Sequence, residues 1–179
     1  MKTLVVVLAV LAAAVLILGR QCFTIHQSLV AQRDTIDRAW VEVDAALNHR
    51  ADLVPDLVEA VTREAPGQAG KIRPAAEARA ALARAQGPRE KIQANARLDT
   101  ALASLLLLAE NYPSLERGKE YADLLDALKG AEYQIAVTRR KYNEAVEHYN
   151  TRLELFPDNL VASISRLGKV DAYFQTPAI

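Results

Sequence analysis

Leu29, Ile36, Trp40, Val43, Leu47, Val54, Leu57 and Val61 recur at intervals of three, four and seven, the spacing that lines one face of an α-helix. The pattern predicts a long helix over 27–65, stopped before Pro66-Gly67. Pro55 lies inside it, where it lacks a backbone donor and crowds the carbonyl of Ala51. Because the apolar period runs on unshifted, a kink is expected there and not a break. An Ala-rich helix over 69–86 follows, with Pro74 either kinking it or marking its first turn. Gly87-Pro88 turns the chain into a third helix over 88–111, carried by Ile92, Leu98, Leu102, Leu105, Leu106 and Ala109. Pro113 and Gly118 mark a loop. A fourth helix over 119–155 is closed by Pro157, and its seam reads Tyr121, Leu125, Leu128, Ile135, Tyr142, Val146, Tyr149, Leu153 and Phe156. From Tyr142 onward that seam is a heptad. With no strand signal and no repeat of solenoid period, the chain reads as all-α.

Four amphipathic helices on short links predict an antiparallel up-down-up-down four-helix bundle over 27–157. The first and last helices are each about 55 Å long at 1.5 Å per residue, the middle two only about 27–36 Å. The shorter pair therefore leaves a stem, 28–44 against 140–156, that is two helices thick. Facing residue numbers in that pair should add to roughly 184. Beyond Pro157, the tail over 158–179 carries Leu160, Val161, Ile164, Leu167, Val170, Tyr173 and Phe174. It either folds back on the stem, the preferred reading, or lies at a bilayer surface as an amphipathic segment.

Ahead of the first helix, "LVVVLAVLAAAVLIL" (4–18) is unbroken apolar sequence behind Lys2. As a helix it spans about 22 Å, short of a hydrocarbon core of about 30 Å. It suits a secretory signal or an anchor. Gly19-Arg20-Gln21 is a poor cleavage site and a poor lipidation context for Cys22, so residues 1–26 are read as an uncleaved signal-anchor. Membrane lipid then contacts residues 3–19, with Lys2 and Arg20 snorkelling or the bilayer thinning to absorb the mismatch. The expected topology is single-pass, with the large C-terminal part translocated across the membrane.

The 22 basic and 22 acidic residues cancel without a basic patch, which argues against nucleic acid as a partner. One cysteine excludes an internal disulfide. His148 beside Glu144 and Glu147 has no counterpart at His26 or His49 to complete a di-metal site. No phosphate loop, nucleophile elbow or zinc helix motif occurs, and Ser104 and Ser114 show no Asp-His partnership. No catalytic, cofactor-binding or metal-binding residue is assigned, and no cofactor is expected.

Polar residues interrupt the seams at Arg33 and Arg50 on the first helix and at Glu132 and Arg139 on the fourth. The register pairs Arg50 with Glu132 and sets Asp44 near Arg139, as ion pairs that fix antiparallel orientation. The alternative is a polar pocket for an anionic ligand. Tyr-Asn occurs twice, at Tyr142-Asn143 and Tyr149-Asn150, seven residues apart. Both tyrosines fall on the seam, and Asn143 and Asn150 fall on its flank, where hydrogen bonding at a helix interface is expected. Trp40, Tyr142 and Tyr149 are expected in or beside contacts of the stem.

These stretches resemble the LemA family. The resemblance rests on "LVAQRDTIDRAWVEVDAALNHRADLVPDLVEAV" (29–61), "AENYPSLERGKEYADLLDAL" (109–128), "GAEYQIAVTRRKYNEAVEHYNTRLELFPDNLVA" (130–162) and the late "YF". It implies an N-terminal membrane anchor and an antiparallel helical bundle outside the cytoplasm, with no established catalytic activity and no catalytic residues to carry over. Some members are associated with bacterial membrane compartments. The chain departs from the family pattern at "REAPGQ" after the first helix and in the context of Cys22. The expected function is a membrane-anchored, non-enzymatic scaffold that self-associates as a homo-oligomer. Its warrant is the apolar flank left open on the stem. The alternative is an extracytoplasmic protein-binding module that presents its distal loops, 66–70 and 112–118, to an envelope protein.

Overall fold

The structure, a computed structural model, describes residues 2–174, apart from the side chains of residues 2–5, 7, 9, 10 and 116. Helix α1 (Lys2–Glu64) joins the apolar N-terminal run to the first amphipathic helix without a break. Residues 19–26 lie between them; their one helix-weakening residue is Gly19, and one glycine costs about 1 kcal/mol against alanine, too little to stop so long a helix. The anchor read over 1–26, with its lipid contact at 3–19, falls partly on the residues and side chains outside the description. Among the described residues, no helix is long and apolar enough to cross a membrane.

After a 3-10 turn (Pro66–Gln68) come α2 (Ala69–Arg84) and α3 (Gly87–Ala109). Gly87 has φ +70°, a conformation that favours glycine. Glu90 then reaches back to accept from the Gln86 N–H at 2.9 Å, capping the start of α3. The expected 112–118 loop contains a single turn, α4 (Pro113–Glu116). Helix α5 (Lys119–Arg152) ends three residues before the expected boundary, and an unforeseen α6 (Asp158–Ile164) follows. Helix α6 closes with Arg166 at φ 56°, the Arg166 N–H bonding Ser163 O and the Leu167 N–H bonding Ala162 O. That is a Schellman cap, here without the usual glycine. No strand occurs among the described residues.

Pro55 is tolerated for a visible reason. The carbonyl it orphans, that of Ala51, accepts instead from Arg79 Nε of α2 at 3.3 Å. The helix consequently continues to Glu64.

The chain forms two compact units, and the dividing points fall inside α1 and α5. The first comprises Met1–Arg38 and Glu144–Asp171. Its buried residues are Leu29 and Ile36 of α1, Val146 and Tyr149 of α5, and Val161 and Ala162 of α6. Arg152 donates to Ser28 Oγ at 2.7 Å, and the Arg33 guanidinium lies 5.9 Å from the Tyr149 ring centroid, so the two helices run antiparallel here. The second unit comprises Ala39–Asn143 and Ala172–Ile179. In it α1 and α5 are again antiparallel, through Arg50–Glu132, Glu42–Lys141 and Arg63–Glu120. Facing residue numbers there add to 182 or 183, within two of the expected value. Helices α2 and α3 pack together beside α1, burying Ile72, Ala75 and Leu82 with Leu98, Leu102 and Leu105.

The expected two-helix stem with an open flank is corrected. In the first unit, α6 and the chain after it add a third layer, and Leu29 and Tyr149 are fully buried. Phe156 is also corrected. Because α5 stops at Arg152, this expected seam residue leaves the helix and is 81% exposed.

Candidate functional site

The repeated Tyr-Asn pair has a geometric answer in each unit. In the second unit Tyr142 is buried and Asn143, next round the helix, is half-buried. Asn143 Oδ1 accepts from the Phe174 N–H at 3.1 Å, and its Nδ2 donates to the Phe174 carbonyl at 2.8 Å. A side-chain amide carries one acceptor and a donor side by side. It can therefore satisfy both backbone groups of one residue in the irregular C-terminal segment, as a neighbouring strand would. The side chain of that residue is held as firmly. The Phe174 ring stacks on Trp40 (6.4 Å, 23°) and meets Tyr142 edge-on (6.1 Å, 86°). Trp40 and Tyr142 themselves pack at 5.4 Å. The Arg139 guanidinium lies over the Phe174 ring at 4.6 Å. Each aromatic pair adds about 0.5–1.5 kcal/mol beyond burial, and the cation over the ring a further 0.5–1 kcal/mol or so.

The first unit repeats the device. Asn150 Oδ1 accepts from the Val170 N–H at 2.9 Å, and Nδ2 donates to the Val170 carbonyl at 2.7 Å. The buried Tyr149 hydroxyl donates to the Gly168 carbonyl at 3.3 Å, which Arg33 Nη1 also reaches at 3.4 Å. Arg33, read as a polar gap in a seam, thus serves the backbone of this same segment. The sequence reading expected hydrogen bonds at a helix interface; here each asparagine also holds both backbone groups of a residue in the C-terminal segment. That backbone is non-helical and leaves no periodic signal.

In the second unit, a buried arginine joins α1, α3 and α5. Arg50 is 1% exposed. Its Nη1 pairs with Glu132 and with Asp99 (2.6 Å), and its Nη2 donates to Asn95 Oδ1 at 2.6 Å. Asn95 Nδ2 in turn donates to Asp99 Oδ2 at 3.2 Å. A desolvated guanidinium needs such company, and both carboxylates keep a face in water (43% and 49% exposed). Sequence reasoning paired Arg50 with Glu132 and missed Asn95 and Asp99. Their four-residue spacing beside Leu98 and Leu102 was the available signal. The expected Asp44–Arg139 pairing is corrected: Asp44 pairs with Lys91 of α3 and accepts from Asn48, while Arg139 covers Phe174. Lys91 reaches Asp44 because α3 lies beside α1 at that level.

These contacts hold the C-terminal segment and join α1, α3 and α5. Among the described residues, no three His, Cys, Asp or Glu side chains are grouped to hold a metal ion. Cys22 is exposed on α1, and His49 and His148 are also exposed. A groove of about 790 Å³ between α2 and α3 is floored by Ala78, Ala81 and Ala101, with Arg97 and Glu77 among its lining residues.

Fold and site together define an all-helical protein whose C-terminal segment is gripped through its backbone by helix-borne asparagines. The chain belongs to the LemA family, whose model matches residues 39–178. It is also similar to magnetosome proteins MamQ 1 and MamQ 2 of Paramagnetospirillum magneticum, each 27% identical over 92 residues, covering 51% of this chain and 34% of the relative. Magnetosome protein MamQ of Magnetospirillum gryphiswaldense is 27% identical over 78 residues, covering 44% of this chain and 29% of the relative. The chain thus spans about a third of the length of these relatives.

Proposed function

We propose that this protein is a membrane-anchored, non-enzymatic scaffold of LemA type that self-associates at a bacterial inner membrane and organises a membrane or envelope assembly. In this reading residues 3–19 insert once into lipid, and an up-down-up-down four-helix bundle stands on the extracytoplasmic side. The observation that carries it is the exposure of the N-terminal part of α1. Leu11, Val15, Leu16, Ile17 and Leu18 all face outward with nothing packed on them, on every side of the helix. A helix apolar all round requires an apolar surrounding. Confinement of many copies to one bilayer raises their effective concentration, which favours contacts between them without any large dedicated interface. Similarity to magnetosome proteins favours association with a membrane.

The test is the mass of the full-length protein in mild detergent, measured by light scattering, beside carbonate extraction of membranes. Retention in the carbonate-washed membrane and a mass of several copies are the expected results. Release by carbonate removes the anchor, and a monomer removes the self-association.

A further inference from the structure

We infer that α6 and the turn before it form a second contact with the bilayer, a foot that rests at the lipid headgroup level beside the anchor. The inference depends on the anchor proposed above. Helix α6 has two faces: Val161 and Ala162 are buried, whereas Leu160 and Ile164, one turn apart, are 55% and 74% exposed. The preceding turn adds Leu155 (57% exposed) and Phe156 (81% exposed). Elsewhere among the described residues the exposed large apolar side chains are either in the N-terminal part of α1, ending at Phe23 and Val30, or scattered singly at Val41, Leu107, Tyr133 and Tyr173. Single exposed apolar residues are ordinary, but four clustered on one turn and helix are not.

Lipid is the occupant that the geometry of this unit fits. The bond from Arg152 to Ser28 sets the end of α5 beside Ser28, and the ion pair of Arg152 with Asp158 brings the start of α6 to the same level. The antiparallel run of α5 carries the 153–157 turn past Ser28 toward Phe23. The apolar run of α1 at 4–18 covers about 22 Å of a hydrocarbon layer about 30 Å thick, a deficit of about 8 Å. Phe23 lies five residues, or about 7.5 Å, beyond Leu18. An apolar collar of Phe23, Leu155, Phe156, Leu160 and Ile164 supplies lipid contact over the missing length. Arg20 between them snorkels to the headgroups. Arg20 and Arg166 have no ion pair among the described residues and suit anionic headgroups at that depth.

The experiment uses the full-length chain with Cys22→Ser and single cysteines at exposed sites, Phe156→Cys or Ile164→Cys, labelled with an environment-sensitive dye. It is reconstituted in vesicles of phosphatidylcholine with phosphatidylglycerol. The lipids carry a nitroxide either near the headgroup or deep in the acyl chain. Leu16→Cys reports on the anchor and Tyr133→Cys serves as the aqueous control. Dye at positions 156 and 164 should be blue-shifted and quenched roughly two-fold more by the shallow nitroxide than by the deep one. Leu160→Ser with Ile164→Ser should abolish quenching at position 156. Quenching at position 16 without quenching at 156 and 164 overturns the foot and leaves the anchor standing. No quenching at position 16 removes the anchor and the foot with it. A blue shift at 156 and 164 that no nitroxide quenches shows protein covering the face, which also overturns the proposal.

Discussion

Asn143 holds Phe174 by both of its backbone polar groups, accepting from the N–H at 3.1 Å and donating to the carbonyl at 2.8 Å, while Trp40 and Tyr142 close on the ring. A segment without secondary structure of its own leaves its backbone groups to be satisfied by side chains or water. Asn150 does the same for Val170. The grip reads backbone, so the side chain of the gripped residue is free to fill a pocket, as Phe174 does.

Asn143→Ala and Asn150→Ala should each cost about 1–3 kcal/mol, two net hydrogen bonds' worth. Amide exchange should accelerate at Phe174 in the first variant and at Val170 in the second. Unchanged exchange at the gripped residue would remove the clamp as an explanation of the repeated pair.

Phe174→Ala should cost about 3 kcal/mol for a buried aromatic side chain. Trp40 is the only tryptophan, so its fluorescence reports directly on this pocket. Its emission should shift to the red as water replaces the Phe174 ring. Emission that stays at the original wavelength would show that Phe174 does not cover Trp40 in solution.

Neutralising either partner of Arg50 alone, Asp99→Asn or Glu132→Gln, should cost about 0.5–1.5 kcal/mol, because the other carboxylate remains. The double variant leaves a buried cation uncompensated and should cost about 3 kcal/mol or more, beyond the sum of the singles. Urea denaturation of the four proteins closes the cycle. Additive losses would mean that Arg50 does not depend on the pair.

Arg79→Ala should cost about 1–2 kcal/mol, since it strips the donor from the Ala51 carbonyl. In a Pro55→Ala background the helix supplies its own donor to that carbonyl, and the same substitution should cost less than about 0.5 kcal/mol. Equal losses in both backgrounds would assign Arg79 a different role.

Lys169 hydrogen-bonds Glu154 and holds its carboxyl below the usual glutamate value of 4.5. A lowered folded value means that this tether stabilises at neutral pH and is lost as pH falls through that lower value. Amide protection around Lys169, taken relative to the intrinsic exchange rate at each pH, should therefore fall on acidification below the ordinary glutamate range. Glu154→Gln should make it indifferent to pH there. A pH dependence surviving in Glu154→Gln would refute the assignment.

Periodicity made the helices legible. Spacing alone marks Leu29, Val43 and Leu47 on one side and Tyr142, Val146 and Tyr149 on the other as seam positions, all of them buried, and the antiparallel Arg50–Glu132 pairing follows from the same count. Helix ends were less legible. Helix α6 was read as tail because seven residues carry too little periodic signal, and Phe156 was placed on a seam because the heptad extends arithmetically past the helix that bears it. Asp44 was assigned to Arg139 because a two-helix count ignores α3, from which Lys91 arrives.

What the sequence determined by itself is therefore the all-helical class, the buried faces and the antiparallel pairing of the outer helices, because hydrophobic spacing acts along one element and is summed over many residues. Only the tertiary structure decided the partners of Asn143 and Asn150, the company of Arg50 and the rescue of the Ala51 carbonyl. Each of these rests on one to three polar contacts between residues distant in the chain, and hydrogen bonds of that kind leave no period to read.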